Sequence, residues 1–217
     1  MLTLRVRIAS GLLLVRALIC TPTATAEPIP RADLIIRTYN LVGLPSRQLH
    51  AARRTAQSIF EKAGVTIAGW RDCQGGDRSS TAAADDCQDR VRPNEVAVRI
   101  VRTPPNWPNP WVLGFSHVAP HAGTSWLSTV FADQIGETAS RFHLDPGTLL
   151  GRTMAHEVGH LLLASTRHPD EGLMRANWQT ISLRRHVRTD WLFSRSEANQ
   201  MRADLVARSR ALAESIG

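Results

Sequence analysis

The sequence predicts one α+β domain, because its periodic segments follow the order strand, helix, strands and then a late helix that carries histidines. A chain of 217 residues with 43% hydrophobic content is long enough and apolar enough to bury one sizeable core. The same composition, with six tryptophans, excludes an intrinsically disordered chain. The only continuous apolar run lies at the N-terminus, so we expect no internal membrane span.

Residues 1–26 are typical of a secretory signal peptide. Two arginines precede an apolar run at residues 8–15, and small residues at 23–26 provide a cleavage site. Arg16 interrupts the apolar stretch, and the alternative is an uncleaved amphipathic anchor. We therefore expect an exported protein, periplasmic or extracellular, in which residues 27–217 form a single domain.

Cys73 and Cys87 are the two cysteines that remain after the signal segment. An even pair of cysteines in an exported chain predicts a disulfide. Closing a loop of this length contributes about 3 kcal/mol in the chain-entropy model. The alternative is a metal site, but the pair lacks the C-x-x-C spacing that such sites use.

The first half of the domain has the pattern strand, helix, strand. Residues 33–39 are rich in β-branched side chains and predict the first strand. Pro45 opens a helix with apolar residues at helical spacing, and Gly64 ends it near residue 63. Residues 65–70 predict the second strand.

The second half contributes three more strands and two helices. Residues 95–101 and 128–131 predict strands, and residues 112–118, with flanking prolines and a glycine, predict a short edge strand. Asp145 is an N-cap followed by proline, so a helix begins there and runs into the histidine segment. A final helix is expected over residues 194–212.

Residues near the end of this histidine-bearing helix have the spacing of a catalytic zinc site. His156 and His160 are four residues apart, so both rings lie on one helix face and can reach one ion. Glu157 is placed to take a proton from a metal-bound water. A catalytic zinc needs three protein ligands, and His168 is the natural third. The alternative is a core helix that carries two histidines by chance.

The sequence HEVGH at residues 156–160, a further histidine, and GLM at residues 172–174 resemble the zinc site of metzincin-type metallopeptidases. The resemblance implies a small, mostly parallel sheet with an antiparallel edge strand, a backing helix, an active-site helix and a C-terminal helix. It also implies one catalytic Zn²⁺ with the ligands His156, His160 and His168, Glu157 as general base, and Met174 in the turn beneath the metal.

Three features depart from the metzincin pattern. The second and third histidines are eight residues apart instead of six, and Leu163 occupies the position of the family's intervening glycine. Met174 follows His168 early, and the alternative for it is an ordinary core methionine. The only tyrosine, Tyr39, lies in the first predicted strand, so the family's zinc-adjacent tyrosine has no candidate. Other candidates for the third ligand are Asp170, Glu171 and Glu197.

The remaining polar candidates have weaker patterns. The net charge is +7 and the pI about 10.8, but nearly all of the positive charge is arginine, which indicates compositional bias. Residues 184–188, with Trp191 nearby, either bind an anionic polymer or form a solvated basic face, and we expect the latter. His117 and His121 either face the cleft or lie on the surface, and we expect the surface.

The sequence thus predicts an exported, monomeric zinc metallopeptidase that acts on a peptide or protein substrate, with Glu157 activating a zinc-bound water. An extended peptide would pair with the edge strand at residues 112–118. The alternative is a non-catalytic zinc-binding or cell-envelope interaction protein on a metallopeptidase scaffold. The missing tyrosine, the ligand spacing and the lack of room for an inhibitory propeptide favour this alternative, whereas Glu157 favours the enzyme. A nucleic-acid binder is the third hypothesis.

Overall fold

The structure is a computed structural model that describes residues 32–73, 87, 89–109, 111–119, 125–176, 178 and 188–214. Its strands are β1 (Asp33–Asn40), β2 (Thr66–Cys73), β3 (Glu95–Val101), β4 (Gly114–His117) and β5 (Leu127–Phe131). They form one sheet in the order β2-β1-β3-β5-β4. Four strands are mutually parallel, and β4 pairs antiparallel with β5 at one edge.

Helices pack on this sheet and on one another. Those in the described residues are α1 (Ser46–Lys62), α2 (Ala132–Phe142), α3 (Pro146–Leu163) and α4 (Arg195–Glu214), with a short 3₁₀ helix at Arg188–Trp191. The α+β class is confirmed, as are the mostly parallel sheet, the antiparallel edge strand, the backing helix α1, the histidine-bearing helix α3 and the C-terminal helix α4.

The sequence pattern does not predict helix α2. Only Ile135 and Ala139 are buried among its eleven residues, and Gly136 lies in its interior. Such a short apolar stripe gives a weak helical periodicity. The helix forms at the end of β5 and ends at His143, which has a left-handed φ of 55°.

The sheet contributes alternate residues to the core. Leu34 and Ile36 of β1 and Val96, Val98 and Ile100 of β3 are fully buried in one cluster with the apolar residues of the helices. Since side chains alternate across a strand, the residues between them face the other side of the sheet. Strand β3 lies between two parallel neighbours, which explains its nearly continuous burial.

That other face carries a buried ion pair between β1 and β3. Nε of Arg37 donates to Oε2 of Glu95 at 2.9 Å, and both side chains are almost fully buried. The same guanidinium donates to the backbone carbonyls of Asp89 and Arg90. Arg37 therefore holds the segment that leads into β3 against the sheet. The second carboxylate oxygen of Glu95 lies 3.5 Å from the guanidinium of Arg71, so two arginines compensate the buried charge.

The predicted disulfide between Cys73 and Cys87 is present in the structure, at the end of β2. The Tyr39 hydroxyl donates to the carbonyl oxygen of Cys87 at 3.3 Å. The only tyrosine therefore contacts the disulfide segment. It belongs to β1, the strand that the sequence predicts at residues 33–39.

Helix α3 is the most buried helix of the described chain, with 15 of its 18 residues buried. Two glycines bring it close to α1. A Cβ atom at Gly151 would lie 2.3 Å from the carbonyl oxygen of Ala52, and one at Gly147 would lie 2.6 Å from Cβ of Ala51. Only glycine allows the two helix backbones to approach this closely.

Arg208 fixes α4 against the rest of the core. Its guanidinium is buried, is paired with Asp204, and donates to the carbonyl oxygens of Ser125 and Leu161 at 3.2 and 3.1 Å. Since Leu161 lies in α3, this arginine connects the two helices directly.

In the part of the chain that the structure describes, no helix combines the length and the apolar character needed to cross a membrane. The predicted signal peptide at residues 1–26, His121 and residues 184–187 lie outside the described residues.

Replacing Gly151 with alanine is expected to destabilise the fold, because its Cβ atom overlaps the backbone of α1. Overpacking of this kind costs about 1–3 kcal/mol. Gly136→Ala is the matched control, since a Cβ atom there meets nothing within 4 Å and alanine favours helix by about 1 kcal/mol. Urea unfolding followed by circular dichroism measures both; equal stability changes in the two variants would contradict the packing argument.

Candidate metal centre

Three histidine rings converge at the C-terminal end of α3. His156 and His160 lie one helical turn apart, and His168 follows the helix. Nε2 of His160 lies 3.1 Å from Nε2 of His156 and 3.1 Å from Nε2 of His168. Among the described residues, they form the one group of three histidine, cysteine or acidic side chains that could hold a metal ion. Their ligand atoms lie within 4.8 Å of one another.

Backbone carbonyls orient two of the three rings. Nδ1 of His156 lies 2.8 Å from the carbonyl oxygen of Leu173, and Nδ1 of His160 lies 2.7 Å from that of Ser165. A carbonyl oxygen only accepts, so Nδ1 of each ring carries the proton. The Nε2 lone pairs of both rings therefore point at the common centre.

This donor set fits a zinc ion. Two nitrogens bound to one tetrahedral zinc at about 2.0–2.1 Å lie roughly 3.3 Å apart, close to the spacing of the Nε2 atoms. Converging lone pairs repel one another unless a cation lies between them, and outer hydrogen bonds to carbonyls are the usual support of zinc-bound imidazoles. The three imidazoles leave a fourth position open, as a catalytic zinc requires.

Burial keeps these rings neutral. It lowers the pKa of His156 to about 3, assisted by the neighbouring His160 and opposed by the Leu173 carbonyl. It lowers the pKa of His160 to about 4, opposed by the Ser165 carbonyl. Burial also lowers the pKa of the more exposed His168. At neutral pH all three Nε2 atoms are available as ligands.

Glu157 belongs to α3, and its side chain extends to the edge strand β4. The Ser116 hydroxyl lies 2.7 Å from Oε2 of Glu157 and donates to it. A Cβ atom at Gly114 would lie 3.1 Å from Oε1, so glycine makes room for the carboxyl group beside the strand. Burial raises the pKa of Glu157 to about 7, opposed by the hydrogen bond from Ser116.

Met174 packs against α3 at Gly159. It is fully buried, and a Cβ atom at Gly159 would lie 2.7 Å from its sulfur. Gly159, between the two helical histidines, therefore allows the methionine to approach the helix. The preceding residue, Leu173, accepts hydrogen bonds from His156 and from the indole N–H of Trp178. The turn that carries Met174 thus supports the first histidine.

The chain reaches His168 without a glycine after the helix. Ala164 adopts a left-handed conformation with φ of 46°, and its N–H donates to the carbonyl oxygen of His160. The N–H of Ser165 donates to the same carbonyl at 3.3 Å. This tight turn ends α3, and the residues that follow return His168 to the centre in spite of the longer spacing.

The other sequence candidates lie elsewhere. Asp170 and Glu171 are exposed and do not belong to the group of potential ligands, and Glu197 caps α4 by accepting from the N–H of Ser194. His117 is exposed on β4, as expected. Trp191 is buried beneath the guanidinium of Arg152, so its ring is not exposed for stacking on a polymer.

Sequence reasoning missed the supporting residues of the centre. Ser116 and Ser165 hydrogen-bond to Glu157 and His160, and the Trp178 ring contacts the His156 ring, but none of these residues has a signal in the local pattern. Contacts across 41 residues, as between Ser116 and Glu157, depend on sheet topology. Only the edge-strand prediction for residues 112–118 pointed to this region.

A cavity of about 820 Å³ opens over the centre. Its lining includes His156, Glu157, His160 and His168, together with the adjacent segment 111–116, which includes most of β4. The rest of the lining is mixed. Four residues are apolar or aromatic (Val118, Phe142, Ala176 and Trp178), and six are polar or charged (Asn109, Thr138, Arg141, Thr153, Thr166 and Arg175). The cavity is therefore bordered by both the edge strand and the histidines.

The fold is similar to that of a protein of known structure. Archaemetzincin from Methanopyrus kandleri superposes with a TM-score of 0.50 at 12% identity, covering 80% of this chain and 96% of its own. A zinc-dependent peptidase from Methanocorpusculum labreanum gives a TM-score of 0.47 at 12% identity, covering 76% of this chain and 99% of its own. No protein-family model matches the sequence, and no curated protein matches it significantly. The likeness to archaemetzincin confirms a metzincin-like fold.

Replacing Ala164 with glycine is expected to stabilise the protein by about 0.5–1 kcal/mol, because glycine adopts the left-handed conformation without strain. Ala63→Gly is the matched change at the end of α1, where φ is −84°, and is expected to destabilise. Thermal unfolding of both variants tests this, and a loss of stability in Ala164→Gly would show that the turn is not strained.

Proposed function

We propose that this protein is an exported zinc-dependent metallopeptidase in which Glu157 activates the attacking water. The observation that carries the proposal is the convergence of three Nε2 atoms beside a buried carboxylate and a sheet edge. The signal-like segment at residues 1–26 and the disulfide support export, because disulfides persist in oxidising compartments.

His156, His160 and His168 would hold the zinc, and Met174 would belong to the turn that supports His156 through the Leu173 carbonyl. When bound, zinc supplies a Lewis acid that polarises a carbonyl and lowers the pKa of a water molecule to about 7. The carbonyls of Leu173 and Ser165 fix the two helical rings, so the ligands need little rearrangement on binding.

Glu157 acts as the general base. Its Oε2 is held by the Ser116 hydroxyl, and this contact directs the carboxyl group toward the cavity wall that it shares with the histidines. A proton taken by the carboxylate from the attacking water is then delivered to the leaving amine nitrogen. This carboxylate is buried, with 5% of the residue exposed, and it borders the cavity.

Strand β4 would align the substrate. It pairs with β5 on one side, and no strand of the described chain pairs with its other side. An extended peptide adding to this edge makes main-chain hydrogen bonds and runs through the cavity past the histidines. The substrate class that fits is therefore an extended peptide or an unfolded protein segment.

A second candidate function is zinc binding without catalysis, as in a cell-envelope interaction protein. The position of Tyr39 favours it, because this single tyrosine donates to Cys87 on the other part of the sheet and does not reach the histidines. Both functions predict a zinc ion; only the peptidase predicts hydrolysis that depends on Glu157.

Replacing His168 with alanine is expected to weaken zinc binding by at least about 100-fold, because one of three ligands is removed. Elemental mass spectrometry of the purified protein measures the zinc content. His50→Ala is the matched control, since His50 is exposed on α1. Full zinc content in the His168 variant would move the third ligand to another residue.

Replacing Glu157 with glutamine is expected to lower the hydrolysis rate by roughly 10²–10⁴-fold while zinc content stays the same. Cleavage of a peptide library, followed by mass spectrometry, measures the rate, and Glu61→Gln on the exposed face of α1 is the control. Unchanged hydrolysis in the zinc-loaded Glu157 variant would exclude the base role. A zinc-loaded wild-type protein without any hydrolysis would favour the binding function.

A further inference from the structure

A second cavity, of about 670 Å³, lies along the crossing of α1 and α3. It shares no lining residue with the cavity over the histidines. We name it the basic groove. Its polar lining is formed by residues of both helices, namely Arg54, Thr55, Ser58 and Lys62 of α1, and Asp145, Thr148 and Arg152 at the start of α3, while Ala51, Ile59, Trp191 and Leu192 form its apolar wall.

The basic groove has unbalanced positive charge. Arg54, Lys62 and Arg152 make no hydrogen bond or ion pair with any residue that the structure describes. Asp145 is the only acid in its lining, and its Oδ1 already accepts from the N–H and the hydroxyl of Thr148 as the N-cap of α3. Three cations therefore share the groove with a single carboxylate, one of whose two oxygens is already hydrogen-bonded.

Arg152 is the central cation of the groove. Its guanidinium carbon lies 3.8 Å from the ring centre of Trp191, which is buried. Stacking covers one face of the guanidinium and leaves its in-plane N–H groups as donors. Burial lowers the pKa of Arg152 to about 10, so the side chain keeps its charge at neutral pH. Arg152 is half-buried, and no acid among the described residues pairs with it.

The close approach of α1 and α3 creates this arrangement. Arg54, Ser58 and Lys62 are spaced by four residues and therefore lie on one face of α1. Gly151, next to Arg152, packs against Ala52 and Thr55 of α1, beside that face. The two helices thus present their cations to a common space.

We propose that the basic groove binds a ligand through a dianionic phosphate group. Three cations and one carboxylate leave two positive charges, which a phosphate dianion balances and a single carboxylate does not. Arginine matches phosphate through parallel N–H donors, and the Ser58 hydroxyl adds a further donor. The volume exceeds that of a bare phosphate, and the apolar wall beside it accommodates the organic part of a phosphomonoester.

The experiment titrates the purified protein with inorganic phosphate and, separately, with glycerol 3-phosphate. Calorimetry and thermal unfolding are the readouts, and sodium chloride at equal ionic strength is the reference. Because phosphate also coordinates zinc, the titrations are repeated in the His168→Ala variant. We expect a saturable rise in melting temperature that persists in that variant, since a ligand that binds only the folded state stabilises it.

Arg152→Gln is expected to raise the dissociation constant at least about tenfold. Arg54→Gln and Lys62→Gln, at exposed positions that the fold does not need, are each expected to weaken binding as well. Arg47→Gln, exposed on α1 outside the groove, is the matched control and is expected to bind like wild type. Tighter binding of either ligand supports the proposal and identifies free phosphate or a phosphomonoester as the source.

Three results would overturn the proposal: an equal effect of chloride, loss of binding with His168→Ala alone, or unchanged affinity in all three groove variants. None of these results depends on peptide hydrolysis, so the groove and the proposed peptidase activity are tested separately.

Discussion

The close contact between α1 and α3 is the constraint on which the rest of the structure depends. Gly147 and Gly151 let the helix backbones approach to distances that no Cβ atom allows. This contact, with the sheet and Arg208 of α4, surrounds α3 and buries it almost completely. A helix held from all sides presents its side chains with little freedom, and a metal centre needs ligands placed in this way. The same contact aligns the cations of the basic groove.

The centre itself depends more on backbone groups than on side chains. Carbonyls of Leu173 and Ser165 fix the tautomers and directions of His156 and His160, and both carbonyls belong to turns that leave or follow α3. Ala164, in its left-handed conformation, ends the helix, and the carbonyl oxygen of the next residue, Ser165, lies 2.7 Å from Nδ1 of His160. Burial then keeps the rings neutral. Ligand direction, protonation and helix termination therefore have one structural origin, the way the chain leaves α3.

Local pattern predicted the elements that carry their own signal. Asp145 and the proline after it marked the start of α3, and the helical spacing of the histidines marked the site. The pattern did not predict α2, whose burial involves two residues, nor the left-handed turn at Ala164, since alanine seldom adopts this conformation. Because this turn could not be predicted, the eight-residue spacing between His160 and His168 did not show whether His168 reaches the other two histidines. Ser116 reaches Glu157, and the groove residues reach one another, only through tertiary packing. Local periodicity in a single sequence does not predict such contacts.

Two arginines, one from each cavity, lie against Trp191, and only one of them is paired with an acid in the described part of the chain. Arg152 and Arg175 both approach its ring, at 3.8 and 5.7 Å from the centre. Arg175, which lines the cavity over the histidines, is offset by Asp190 at 3.8 Å. Arg152, on the groove side, has no such acid among the described residues. Two positive charges can lie against one indole ring because Asp190 compensates the charge of Arg175 within the fold. The charge of Arg152 must then be compensated by a ligand or by solvent.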